Sequence, residues 1–62
     1  MNQSLKEIYD DYRYQLTKIE INLREIPEQY SSTVPFTVLM DKKERLETLV
    51  DLYAFLLVNQ EN

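Results

Sequence analysis

"LVDLYAFLLV", Leu49 to Val58, contains one charged residue in ten. A helix that buries a single face has no use for so many apolar side chains, so this stretch poses two questions: what it folds as, and what covers it. The chain is 62 residues long and carries no Gly, no Cys and no His. Without Gly the φ-permissive positions of tight hairpin turns and the phosphate-cradling loops of nucleotide-binding folds are missing, which favours helices over sheets. Without Cys or His there is no disulfide, no thiolate and none of the usual zinc or proton-transfer ligands.

A domain this short buries a small share of its surface and needs reinforcement, and with disulfides and zinc excluded oligomerisation is the form left. Eleven acidic and seven basic residues give a net charge of −4, the wrong sign for a duplex-binding surface. The five tyrosines do not reverse this, because stacking on single strands also needs a basic track. The expected partners include no nucleic acid. No apolar run approaches the ~20 residues that span a bilayer, and "MNQSLKEIYD" lacks a basic run leading into an apolar core. A cytoplasmic protein with no membrane partner is expected.

"SLKE" at Ser4–Glu7 has the spacing of a capping box and opens a helix. From there Leu5, Ile8, Tyr12, Leu16, Ile19, Leu23 and Ile26 share one stripe at ~100° per residue, with Tyr9 on its edge. Glu20 and Arg24 stand four apart in the favourable order for an ion pair. Pro27 cannot donate to a helix and disfavours helical geometry at Ile26, so a connection follows. Leu39, Leu46, Leu49, Val50, Tyr53, Leu56 and Leu57 form a second stripe, with Asp41 inside the helix and set to pair with Arg45. These signals predict an all-α fold: a helix over about 5–26, a connection over about 27–36 that folds across one end, and a helix over about 37–59. Two helices of about 22 residues, each ~33 Å long, suit an antiparallel helical hairpin.

The stripes leave a surplus. Leu52, Phe55 and Val58 fall outside the second stripe, and Tyr14 and Ile21 lie opposite the first. Two hairpins docked about a twofold axis would form a four-helix bundle and cover these residues, which makes Tyr14, Ile21, Leu52, Phe55 and Val58 the expected interface of a homodimer. The alternatives are a connection that wraps back with Val34 and Phe36, or another protein on the same surface.

Glu44, Glu47 and Asp51 cluster on one side of the second helix. Carboxylates are oxygen ligands for magnesium or calcium, but dedicated calcium sites use loops and di-iron bundles pair Glu with His, so the triplet reads as an acidic partner face and no cofactor is expected. Asp10 and Asp11 are adjacent, point about 100° apart and make a poor acid and base pair. No catalytic residue is assigned.

The order Tyr9, Asp10, Tyr12, Arg13, Leu16, then Leu46, Glu47, Leu49, Val50, Tyr53, is similar to that of the small helical-hairpin phosphatases that act on response-regulator aspartyl phosphates. Such a resemblance implies a phosphatase-like modulator. The second helix of that family carries a Ser-Gln-Glu-Leu-Asp signature, whereas this chain reads "KERLE" at Lys43–Glu47 and has a longer connection, so no active-site residue carries over. The composition favours a non-catalytic protein-interaction module, a regulator, adaptor or inhibitor of another protein, with a purely structural self-assembling bundle as a further alternative.

Overall fold

Ser4 sets the first helix. Its backbone is extended, its Oγ accepts from the Glu7 amide at 3.2 Å, and its carbonyl accepts from Ile8 at 3.1 Å. The computed structural model describes residues 4–61, in which α1 spans Leu5–Glu25, a single 3-10 turn spans Glu28–Tyr30 and α2 spans Val34–Glu61. One half of the expected capping box is formed. The return bond from the Ser4 amide to the Glu7 side chain is not made among the described residues.

Pro27 ends α1 as expected. Ile26 before it is extended, at φ −77° and ψ 124°, and its amide turns back to the Leu23 carbonyl at 3.3 Å. The second helix begins at Val34, earlier than the expected start near residue 37. The reason is Thr33. Its Oγ1 donates to the Tyr30 carbonyl at 2.8 Å and accepts from the Phe36 amide at 3.4 Å, while its carbonyl takes the Thr37 amide at 3.1 Å. One side chain thus closes the connection and caps the helix, and Pro35 sits in a first turn where its missing N–H leaves no bond unmade.

The helices are unequal. At ~1.5 Å per residue the 21 residues of α1 reach ~32 Å and the 28 of α2 reach ~42 Å. They lie antiparallel in a rod of 47 × 20 × 16 Å. The rings of Tyr12 and Tyr53, with centroids 5.5 Å apart and planes tilted by 39°, meet across the seam. This contact sets Leu16 at the height of Leu49 and Ile19 at that of Leu46, so the first turns of α2 overhang α1 beside the connection.

The centre of the seam is small. Leu46 and Val50, at 8% and 6% exposure, are the buried residues, and the α1 stripe from Leu5 to Ile26 is half-buried throughout. On α2 the half-buried ring around them is Phe36, Leu39, Met40, Lys43, Leu49, Tyr53, Ala54 and Leu57. Leu56, assigned to the seam by the sequence, is exposed. The wrapped connection is not formed either: Tyr30 and Val34 face solvent, and only Phe36 turns inward. The expected Asp41–Arg45 pair is not joined, and Glu20 and Arg24 stay apart as surface charges that serve solvation. Lys6 pairs with Asp10 at 3.1 Å and Lys43 with Glu47 at 4.0 Å. Such exposed pairs are worth ~0–1 kcal/mol, too little to hold one rotamer against solvent.

Two consequences are measurable by thermal or urea unfolding followed by circular dichroism. Leu46→Ala removes half of the buried core and is expected to cost ~2–5 kcal/mol, so that most of the helical signal is lost at room temperature; a cost under ~1 kcal/mol would mean the seam is not packed there. Thr33→Ala is expected to cost ~0.5–2 kcal/mol, whereas Thr33→Ser, which keeps the hydroxyl, retains most of the stability.

Candidate functional site

The five residues assigned to an interface are all exposed: Tyr14 63%, Ile21 46%, Leu52 49%, Phe55 64% and Val58 59%. They do not form one surface. Tyr14 and Ile21 lie within about 20° of each other on the back of α1, directly away from α2. Lys18, between them, places its Nζ 5.5 Å from the centre of the Tyr14 ring, a solvent-exposed cation–π contact.

The α2 residues group differently. At ~100° per residue Leu52 and Leu56 are about 40° apart, with Leu49 about 60° to one side of Leu52 and Phe55 about 60° to the other. Leu49, Leu52, Phe55 and Leu56 therefore make one apolar flank, and Val58 lies about 120° round from Leu52. The sequence stripe puts Leu56 in the seam, whereas the structure exposes it on this flank. The signal that finds it is the spacing Leu49, Leu52, Leu56, a step of three and a step of four, beside the seam's own Leu46, Val50, Tyr53 and Leu57. Val38, also exposed, continues this flank toward the start of α2.

Glu44, Glu47 and Asp51 are brought together on another side of α2, about a third of a turn from Leu52, and all three are exposed. Lys43 at 4.0 Å partly neutralises Glu47, leaving Glu44 and Asp51 as the open carboxylates. Among the described residues no three acidic side chains converge on a position that could hold a metal ion. The opposite flank of the same helix carries Lys42 and Arg45. With Tyr12, Gln15, Ile19, Leu46 and Leu49 these line an open groove of about 320 Å³. A second groove, about 260 Å³, sits beside the connection between Glu20, Leu23, Arg24, Phe36, Met40 and Lys43. Glu44, Glu47 and Asp51 thus lie to one side of α2 and Lys42 and Arg45 to the other, with Asp41 one turn before Arg45 on the basic side.

No helix among the described residues is long and apolar enough to cross a membrane. Comparison with protein-family models, curated proteins and solved structures finds no match to the chain.

Because Tyr14 and Ile21 are exposed on the back of α1, truncating them removes little from the fold. Tyr14→Ala and Ile21→Ala are each expected to change unfolding free energy by no more than ~0.5 kcal/mol in urea titrations; a loss above ~1 kcal/mol would mean that the back of α1 is packed in solution.

Proposed function

We propose that the chain is a small non-catalytic protein-interaction module, a cytoplasmic regulator, adaptor or inhibitor, that binds another protein through the surface of α2. The observation that carries this reading is the imbalance of burial. Leu46 and Val50 are buried, while Leu52, Phe55 and Leu56 stand together in solvent. Contiguous apolar surface of this kind on a folded protein is the usual mark of an interaction site. Covering a Leu or Phe side chain is worth ~1.5–3 kcal/mol, so the flank alone can supply the anchoring contacts of a complex. The flanking charges then set orientation: Lys42 and Arg45 on one side and Glu44 and Asp51 on the other favour a partner whose potential changes sign across its groove.

Capture from a lysate with immobilised protein, read by mass spectrometry, tests this. A captured protein is expected to be lost with Leu52→Asp and retained with Tyr14→Ala, provided circular dichroism shows both variants folded. Identical captured sets would remove the α2 flank as the binding surface. Release of phosphate from phosphorylated receiver domains, abolished by Glu47→Ala, would overturn the non-catalytic part of the reading.

A further inference from the structure

The α2 helix carries two seams. The inner one, Phe36, Leu39, Lys43, Leu46, Val50, Tyr53 and Leu57, alternates steps of three and four and is occupied by α1. The outer one, Val38, Lys42, Arg45, Leu49, Leu52 and Leu56, alternates in the same way one position earlier; α1 half-covers Leu49, while Val38, Leu52 and Leu56 stand exposed. Repeats of this kind are what a helix shows when it packs lengthwise against a neighbour, and a helix with two of them has two neighbours. Leu52 and Leu56 are left uncovered by the rest of the described chain. Leu52 lies ~27 Å along α2 from Val34, at the end of the rod far from the connection.

We infer that the second neighbour is α2 of another copy of this chain, packed antiparallel across a twofold axis that passes close to Leu52. This rests on the reading above that the α2 flank is an interaction surface, and any other protein binding that flank has to displace the second copy. Three observations point to a copy. The first is area: the chain exposes 5174 Å², about 900 Å² more than a folded monomer of 7.5 kDa is expected to expose, and a standard interface buries about 800 Å² on each side. A second hairpin laid along α2 removes surface of that size.

The second observation is self-complementarity, which a twofold interface requires. Leu49, Leu52 and Leu56 are centred between positions 52 and 53. Antiparallel packing sets Leu49 at the height of Leu56 of the second copy and Leu52 beside its own equivalent, so every leucine meets a leucine, with Phe55 closing the edge. The third is charge. Parallel packing would stack Lys42 on Lys42 and Arg45 on Arg45, whereas the antiparallel arrangement sets each Arg45 at the height of Gln60 of the opposing α2, away from its own equivalent.

The chain has no Cys, so a single introduced thiol reports its own neighbour. In a glutathione redox buffer at micromolar chain concentration, Leu52→Cys is expected to form a disulfide-linked dimer on the order of a hundredfold faster than Ile21→Cys, because thiols held within a dimer see a millimolar effective concentration. Leu49→Cys mixed with Leu56→Cys is expected to give the mixed dimer in preference to either homodimer. Residues seven apart along a helix lie ~10 Å apart in height, beyond disulfide reach. In denaturant these differences should vanish. Sedimentation equilibrium of the unmutated protein is expected to pass from one chain to two at roughly ten micromolar, with a melting temperature that rises with concentration.

A one-chain mass throughout, with a constant melting temperature, overturns the self-association proposal; so does equal cross-linking at positions 52 and 21. A preference for Leu49→Cys homodimers overturns the antiparallel arrangement. If the protein stays a single chain while Leu52→Asp still abolishes capture of another protein, the copy is wrong and the interaction reading stands. If neither self-association nor capture depends on Leu52, both fall.

Discussion

Everything in this hairpin depends on one seam whose centre is two side chains wide. Leu46 and Val50 are enclosed because α1 passes directly over them, and each turn away from them along either helix is more open. A two-helix rod has no third element to close its sides. Apolar residues on the flanks can at best be half-covered, which is why even Leu16, Ile19 and Leu23, at the middle of the α1 stripe, keep part of their surface in water. The Tyr12–Tyr53 contact matters in this setting for register: a slide of one turn would separate the rings and set Leu46 against a different part of the α1 stripe. Stability and alignment thus come from the same few contacts.

Much of this fold was legible in the sequence. Ser4 announces the start of α1 because a hydroxyl three residues before a helical amide has one obvious use, and Pro27 announces its end because proline has no amide to give. The start of α2 was less legible. Thr33 stands in "SSTVP" among three hydroxyl residues of similar capping ability, and its choice depends on the Tyr30 carbonyl, which the 3-10 turn delivers and local spacing does not reveal. The Asp41–Arg45 pair failed for a different reason. A spacing of four permits Asp41 to meet Arg45 but does not oblige it, since water competes with a weak exposed contact on equal terms.

The candidate surface was legible in part. Tyr14, Ile21, Leu52, Phe55 and Val58 were singled out because they fall off the stripes, and their exposure follows from the same geometry. What the sequence did not separate is the direction each residue faces. Tyr14 and Ile21 lie behind α1, while Leu52 and Phe55 join Leu56 and Leu49 on α2, a grouping that becomes visible once Leu46 and Val50 fix which side of α2 is inward. Leu56 was placed in the seam because, at 3.6 residues per turn, two apolar rows about a quarter-turn apart merge into one broad stripe.

Two such rows on one helix raise the question of why α1 takes the inner one. The inner row holds Phe36, Leu39, Leu46, Val50, Tyr53 and Leu57 against Val38, Leu49, Leu52 and Leu56 in the outer one, so apolar area favours the inner row. Charge placement acts in the same direction. The outer row is interrupted by Lys42 and Arg45 one turn apart, and α1 lying over it would have to desolvate both, at a cost that no acidic residue of the α1 stripe could offset. The inner row carries only Lys43, whose stem lies along the seam while its ammonium reaches out to Glu47. The basic pair therefore keeps α1 off the outer row, and it does so only in the N-terminal half of that row. Beyond it the row is free of charge: α1 half-covers Leu49 and leaves Leu52 and Leu56 open.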